Sequence, residues 1–352
     1  MTFASDRLSE NNEKSAEKNY NEQIESKKLK TSRFKFDPID VMASLRSNII
    51  GQNDSMQEIE NMLHVVKSDF GDPNRPLSVT LMLGPTGVGK TETVRLISQA
   101  IHGNLDTFCR IDMNTLAQEH YMASLTGAPP GYVGSKEGNT LFNIEAIQGS
   151  FSKPGIILFD EIEKASNEVI RALLNVLDTG VLKLTAGNKE ISFKNCMIFM
   201  TSNIGAKKSQ ERRNQINKLP KLLRMYLERS KISSCELTTK ALKSKFDPEF
   251  INRIDRILNF NAIDGQNFEK IVEIEIKKLN ERLSKYDFSV FLTPSAIEFL
   301  ALNYMNEYGA RGIARSIRVN IDPLISKTFN QSQEKICLKI DLVSNKLLIV
   351  DS

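Results

Sequence analysis

One segment constrains the fold of this chain more than any other: Gly84-Pro85-Thr86-Gly87-Val88-Gly89-Lys90-Thr91. It fits the pattern G-x-x-x-x-G-K-[ST] and lies between an apolar run at 78–83 and a helical run at 91–101. Glycines there allow the backbone N–H groups and the start of the helix to face phosphates. Lys90 is expected against the β- and γ-phosphates, and the Thr91 hydroxyl on Mg²⁺. The segment predicts a bound nucleoside triphosphate, with ATP and Mg²⁺ as cofactors.

Short apolar runs alternate with helical segments from residue 37 to about residue 260. Fully apolar strands separated by helices are typical of a parallel sheet with helices on both faces, an α/β fold of the P-loop NTPase class. The predicted strands are 78–83, 108–111, 156–159, 196–201 and 256–260, and the clearest helices are 91–101 and 167–177. We expect residues 37–260 to form one large ATPase domain.

The pattern changes after residue 260, and a small C-terminal α+β lid domain is predicted over 261–352. One apolar stripe at helical spacing predicts a long helix over 265–285. Further helices are expected near 295–304 and 310–326, and strands at 288–292, 336–342 and 346–350. Residues 1–36 are polar, with only scattered apolar side chains. Such a stretch cannot offset its ordering entropy by burial, so we expect a disordered tail.

Composition excludes several classes of protein. The chain has 47 basic and 43 acidic residues, a net charge of +4, which by itself does not imply a polyanionic partner. No apolar run approaches the roughly 18 residues that a membrane helix needs, and no secretory signal is visible. The four cysteines form no C-x-x-C pair, so neither a disulfide framework nor a cysteine zinc site is expected. A cytoplasmic location without a membrane partner is predicted.

Two carboxylates follow the apolar strand at 156–159. An acid at the carboxyl end of a parallel strand can hold Mg²⁺, and its neighbour can take the proton from an attacking water. We therefore assign Asp160 to the metal and Glu161 to the general base. A solvated strand end with a helix cap is the alternative on these residues alone. Together with the phosphate loop, the pair indicates hydrolysis.

A third apolar strand, at 196–201, is followed by Asn203. Its side-chain amide could orient the lytic water, although a simple turn residue explains it as well.

Seven motifs, in order along the chain, resemble those of the Clp-type AAA+ unfoldases. The strongest resemblance is to the second ATPase module of ClpA and ClpB. The motifs are GPTGVGKT (84–91), RIDM (110–113), GAPPGYVG (127–134), ILFDEIEKA (157–165), MTSNIG (200–205), FINRID (250–255) and YGAR (308–311). The resemblance covers the chain from about residue 49 to its end.

The resemblance implies roles for further residues. Asn203 corresponds to the polar sensor beside the γ-phosphate, and Arg253 to the finger that reaches a neighbouring subunit's nucleotide. Arg311 corresponds to the second sensor, and Ile49 and Ile50 to the turn that contacts adenine. A guanidinium offsets the charge that develops on a transferred phosphoryl group, which suits both arginines. A finger that acts on a neighbour implies a closed homo-oligomer, expected to be a hexameric ring.

The loop Gly131-Tyr132-Val133-Gly134 carries an aromatic ring between glycines. On its residues alone it can be a surface loop whose tyrosine packs locally. In the family that the chain resembles, this loop lines the central pore and grips an extended polypeptide. A nucleic-acid motor would be expected to carry Lys or Arg there, and none lies within 127–135. Protein substrates are therefore favoured over nucleic acid.

The segment 206–245 departs from the family pattern. It holds 12 Lys or Arg residues against three Glu and no glycine, so the glycine-containing tripeptide that docks on a ClpP-type peptidase is absent from it. It can be a solvent-exposed helical insertion, or a docking surface for an acidic partner.

The leading functional hypothesis is a ring-forming ATPase that threads or disassembles proteins. A regulatory subunit of a compartmental protease and a nucleic-acid remodeller are the alternatives.

Overall fold

A computed structural model describes residue 15 and residues 32–117, 141–184, 190–205, 240–263, 265–302, 309–329 and 336–351. The chain divides into two compact units. The first is formed by Met1–Arg46, Asp54–Gly84 and Lys90–Asn259, and the second by Ser47–Asn53, Pro85–Gly89 and Phe260–Ser352. Among the described residues, no helix is both long and apolar enough to cross a membrane.

The first unit is built on a five-stranded parallel sheet with the strand order β2-β3-β6-β1-β7. Every residue of the three central strands β1, β3 and β6 is buried, as expected for strands covered on both faces. The predicted α/β fold with a parallel sheet is confirmed. The strands are β1 Ser78–Leu83, β2 Cys109–Asp112, β3 Gly155–Asp160, β6 Cys196–Ser202 and β7 Arg256–Asn259, with a separate hairpin of β4 Val181–Lys183 and β5 Glu190–Ser192.

The register of the sheet aligns the carboxyl ends of its strands. Asp112 at the end of β2 is opposite Asp160 at the end of β3, and Leu83 in β1 is opposite Ser202 in β6. Parallel strands share one carboxyl edge, and ligands of open α/β sheets bind outside that edge. The residues that follow β1, β3 and β6 are therefore brought to the same side of the first unit.

Helices connect and flank these strands. They are α1 Pro38–Asn48, α2 Asn53–Ser68, α3 Lys90–His102, α4 Ile144–Gln148, α5 Asn167–Thr179 and α6 Pro248–Asn252. Helix α5 shows why the sequence starts and stops a helix where it does. The Ser166 hydroxyl accepts a hydrogen bond from the Val169 N–H at its start, and Gly180 ends it in the left-handed conformation.

The packed part of the first unit begins before residue 36, where the predicted disordered tail was expected to end. Phe34 and Phe36 are buried, the Phe34 carbonyl accepts a hydrogen bond from Lys67 Nζ at 2.5 Å, and Arg33 pairs with Asp69 at 2.9 Å. Residues 33–36, at the end of the predicted tail, are thus packed against the first unit. Two aromatic side chains gain enough by burial to order a segment whose composition is otherwise polar.

The second unit contains a three-stranded sheet with the order β10-β9-β8, in which β8 is parallel and β10 antiparallel to β9. Its elements are α7 Gly265–Leu283, β8 Phe288–Leu292, α8 Pro294–Leu302, α9 Gly309–Asn320, α10 Asp322–Phe329, β9 Ile336–Val343 and β10 Lys346–Asp351. The single helix predicted near 310–326 is wrong, since α9 and α10 are separated by a turn at Ile321. Pro323 lacks the N–H that a continuous helix requires, but it is tolerated in the first turn of a new one.

Candidate active site

The phosphate loop connects β1 to α3. Gly87 and Gly89 have φ angles of 76° and 102°, a backbone conformation that side chains disfavour. A Cβ atom at Gly89 would lie 3.3 Å from Cδ1 of Ile49, so the glycine allows the isoleucine to pack against the loop. Ile49 is buried, and Ile50 packs against the core of the second unit. Both were predicted to contact adenine.

Lys90 is the first residue of α3 and is 7% exposed. Its Nζ donates hydrogen bonds to the Gly84 carbonyl at 2.6 Å and to Asn203 Oδ1 at 3.0 Å. The lysine therefore joins the start of the phosphate loop to the end of β6. This places a positive charge at the carboxyl edge of the sheet, where a triphosphate requires one.

Glu161 follows β3 in a left-handed conformation, with φ 57° and ψ 52°. A non-glycine residue there is strained, and such strain concentrates at functional sites. The Glu161 backbone N–H donates to Thr201 Oγ1 at 3.0 Å. Its carboxylate accepts from Asn114 Nδ2 at 2.7 Å and from Asn203 Nδ2 at 3.2 Å. Two amides on separate strand ends thus hold the carboxylate that was predicted to be the base.

Asp160 is the last residue of β3 and is 8% exposed. Its carboxylate accepts a short hydrogen bond from the Thr201 hydroxyl and pairs with Arg110 Nη2 at 2.6 Å. A buried carboxylate needs such partners, because an unpaired charge is costly away from water. Carboxylate oxygens are also the ligands that Mg²⁺ prefers, and Mg²⁺ is commonly held by one or two of them together with phosphates. The buried Asp160 carboxylate therefore fits a magnesium ion.

Asn203 is the residue that joins the charged groups. Its Oδ1 accepts from Lys90 while its Nδ2 donates to Glu161, and its backbone N–H donates to Glu163 Oε1 at 3.1 Å. One amide therefore contacts the lysine of the phosphate loop and the predicted base at the same time. The predicted residues Lys90, Asp160, Glu161 and Asn203 form one cluster across β1, β3 and β6.

Each of the two predicted arginines is described within its own unit. Within the first unit, Arg253 follows α6, and its guanidinium pairs with Asp178 rather than with the cluster around Asn203. Arg311 is an exposed residue of α9 in the second unit. At the start of that helix, the Ala310 N–H donates to the Gly87 carbonyl of the phosphate loop at 2.9 Å. The predicted pore loop, 131–134 with Tyr132, lies outside the described residues.

Comparisons with known proteins agree with this geometry. Residues 75–257 match the model of the AAA domain (Cdc48 subfamily), and residues 263–336 match the C-terminal, D2-small domain of ClpB protein. The chain belongs to the Clp-type AAA+ ATPases. The family resemblance predicted from the sequence is thereby confirmed, and this AAA+ chain is an ATPase that binds nucleotide.

Three relatives show how far the similarity extends. An "ATP-dependent protease ATP-binding subunit-like protein AmiB" of Pseudomonas aeruginosa is 46% identical over 305 residues, 86% of this chain and 82% of the relative. An "ATP-dependent protease ATP-binding subunit-like protein" of Rhodococcus erythropolis is 42% identical over 292 residues, 82% of each chain. ClpC of Staphylococcus epidermidis is 37% identical over 290 residues, 81% of this chain and 34% of the relative.

Sequence reasoning assigned no role to three residues that contact the acidic pair of this AAA+ ATPase. Arg110 and Thr201 lie inside RIDM and MTSNIG, two of the motifs on which the family resemblance rests. Their position in these motifs was the sequence signal that could have identified them as site residues. Asn114 carries no such signal. It follows β2, and only the alignment of β2 beside β3 brings its amide to Glu161.

Proposed function

We propose that this ATPase forms a homo-oligomeric, hexameric ring and uses ATP hydrolysis to unfold, thread or disassemble protein substrates. The proposal is carried by one observation, the Asn203 amide that contacts both Lys90 and Glu161. The Asn203 amide contacts the phosphate-binding lysine and holds the proposed base. This arrangement suits a site that hydrolyses ATP only when the triphosphate is bound. We assign this site to a large domain over 37–260, followed by a small lid domain over 261–352.

Each residue of the cluster has a distinct task in this proposal. Lys90 binds the β- and γ-phosphates, and Thr91 and Asp160 hold Mg²⁺. The metal supplies positive charge that offsets the charge developing on the transferred phosphoryl group. Glu161 accepts the proton of the attacking water, and Asn203 orients that water against the γ-phosphate.

Residues outside the cluster complete the proposed site. Ile49 and Ile50 contact the adenine ring, and Arg311 contacts the nucleotide from the lid domain. Arg253 acts on the nucleotide of a neighbouring subunit, which requires that the subunits form a closed ring. The placement of Arg253 in the first unit, paired with Asp178 and not with the Asn203 cluster, supports action on a neighbour.

The proposed substrate is a polypeptide gripped by Tyr132 in the pore loop. An aromatic ring between glycines can press against any side chain and change height as its subunit moves. Gly131, Val133 and Gly134 provide this setting in the sequence. The proposal therefore separates ATP chemistry, in the cluster, from substrate grip, in the loop.

The central experiment compares variants of the two parts. We expect Glu161→Gln to bind ATP but hardly turn it over, and Lys90→Ala to lose ATP affinity. Tyr132→Ala should retain ATP turnover and lose unfolding of a fluorescent model substrate, whereas Tyr132→Phe should retain both. Unfolding that survives Tyr132→Ala, or DNA-stimulated hydrolysis that survives it, would contradict a protein-threading function. A chain that stays monomeric with ATP would contradict the ring.

A second function is favoured by a specific observation, namely the names of the relatives. The Pseudomonas and Rhodococcus proteins are called ATP-dependent protease ATP-binding subunit-like proteins, and ClpC is an ATP-dependent Clp protease ATP-binding subunit. A regulatory subunit of a compartmental protease is therefore the alternative. Recovery of a peptidase ring with the Glu161→Gln variant would support it, although the docking tripeptide is absent from 206–245.

The basic segment 206–245 is proposed as the docking surface for an acidic partner. Its 12 basic residues against three acidic ones carry more positive charge than the whole chain has in excess. Reversing several of these charges should reduce recovery of the partner in a pull-down while leaving ATP turnover unchanged. Unchanged recovery of the partner would contradict the docking role.

A further inference from the structure

We infer that Asp178 is a positioning residue for the guanidinium of Arg253, an inference that rests on the proposed finger role of that arginine. Asp178 Oδ2 accepts a hydrogen bond from Arg253 Nη2 at 3.3 Å, and Asp178 Oδ1 lies 3.1 Å from Arg253 Nε as a charge contact that lacks hydrogen-bond geometry. Both carboxylate oxygens therefore face one edge of the guanidinium. A planar group contacted at two points along one edge has its orientation defined as well as its position.

The opposite edge of the guanidinium stays available. Arginine presents five N–H donors in a fixed plane, shared among Nε, Nη1 and Nη2. Asp178 occupies the edge formed by Nε and Nη2. Among the residues that the structure describes, Arg253 Nη1 has no hydrogen-bond partner. The pair thus leaves donors that can bind the phosphate oxygens of a neighbouring subunit, so Asp178 need not release the arginine for it to act.

Asp178 is held by a rigid element. It lies in the last turn of α5, directly after Val176 and Leu177, which are fully buried. The helix end is closed by Gly180, whose N–H donates to the Val176 carbonyl at 2.9 Å. A carboxylate anchored in this way on a packed helix can define the position of a partner more accurately than one on a loop.

The backbone of Arg253 is anchored separately. Arg75 Nη2 donates to the Arg253 carbonyl at 3.3 Å and pairs with Asp255 at 3.5 Å. Asp255 is tied to the central strand β1, because its carboxylate accepts from the Val79 N–H at 2.8 Å. With the backbone fixed by these contacts, the remaining freedom of Arg253 lies in its side-chain torsions. In the described part of the chain, Asp178 is the group that contacts the guanidinium and restricts these torsions.

The strength of the contact sets the size of the expected effect. The two side chains are 37% and 44% exposed, so this is an ion pair at the surface. Such pairs favour one conformer by a factor of about two to five, and no more. Removing Asp178 should therefore loosen the arginine without unfolding the helix. The effect should be far smaller than that of removing the guanidinium itself, which costs about 10³-fold or more at comparable fingers.

The test is steady-state ATP turnover by the assembled full chain. Asp178→Ala should lower kcat about two- to fivefold, with ATP affinity and ring assembly unchanged, because Asp178 is not part of its own subunit's cluster. Asp178→Asn keeps an oxygen that accepts from Nη2 and should retain more activity. Glu60→Ala is the matched control, since it removes the carboxylate of another surface ion pair, the one with Arg46 at 2.7 Å; it should leave kcat unchanged.

A double variant separates positioning from other effects. In the Arg253→Ala background, Asp178→Ala should cause no further loss, because no guanidinium remains to be positioned. An additional loss there, a loss of ring assembly, or normal kcat in Asp178→Ala alone would overturn the inference. Near-normal kcat in Arg253→Ala would instead overturn the finger role, so failure of the proposed function and failure of this inference give different results.

Discussion

Thr201→Val tests the hydrogen bonds that support the acidic pair. Thr201 is 1% exposed, and its hydroxyl accepts from the Glu161 N–H at 3.0 Å and donates to the Asp160 carboxylate. A hydrogen bond to a charged group contributes about 1.5–3 kcal/mol, and a buried N–H without a partner costs about 1–3 kcal/mol. The added methyl group recovers about 0.8 kcal/mol. We expect the free energy of unfolding to fall by about 3 kcal/mol.

Thr80→Val is the matched control. Thr80 lies in the neighbouring strand β1 and is also 1% exposed. Its hydroxyl has weaker partners, Ser78 Oγ at 3.4 Å and Met62 Sδ at 3.5 Å. Both substitutions replace a hydroxyl by a methyl group inside the same sheet, so the change in apolar burial cancels between them. The difference between the two variants therefore measures the hydrogen bonds to the acidic pair.

Thermal unfolding followed by circular dichroism gives the measurement. For a unit of about 200 residues, 1 kcal/mol corresponds to roughly 2–4 °C in Tm. Thr201→Val should lower Tm by roughly 6–12 °C, and Thr80→Val by less than about 4 °C. ATP turnover should also fall in Thr201→Val, since the backbone of the proposed base loses an acceptor. Equal shifts for the two variants would refute the role of the Thr201 hydroxyl.

Three further outcomes are expected. Gly309→Ala should weaken binding of a fluorescent ATP analogue roughly fivefold or more. Gly309 has φ 54°, and an added Cβ would lie 2.7 Å from the Gly87 carbonyl oxygen of the phosphate loop. Gly71→Ala is the control and should bind the analogue normally, because a Cβ there meets nothing within 4 Å. Burial raises the pKa of the Cys196 thiol well above its usual range, so peptide mass spectrometry after alkylation of the native protein should find Cys337 modified and Cys196 unmodified. Burial lowers the pKa of His102 below its ordinary value of 6.5, so the unfolded chain binds a proton at this imidazole more readily than the folded chain does. The free energy of unfolding, measured with urea, should therefore fall as the pH drops below about 6.5. The fall should be less steep in His102→Gln.

The sequence predicted the regular elements well where local signals were strong. The strands expected at 78–83 and 288–292 have those bounds in the structure, Ser78–Leu83 and Phe288–Leu292. Each is a short apolar run with polar or turn-forming neighbours, which leaves little choice of boundary. Prediction failed where one residue changed the outcome, as at Pro323, which lies in the first turn of the new helix α10.

The sequence by itself determined the chemical groups of the site that lie in contiguous motifs. The phosphate loop with Lys90 and the acidic pair Asp160-Glu161 were identifiable because a few neighbouring residues fix the local backbone that such chemistry needs.

Only the tertiary structure decided which distant side chains meet those groups. Asn114 and Thr201 reach Glu161 from the ends of β2 and β6, and Asp178 reaches Arg253 from the end of α5. No spacing along the chain predicts these contacts, because they depend on the order of parallel strands and on the length of the helices between them. The sheet brings its carboxyl ends to one edge, and that arrangement turns separate motifs into one site.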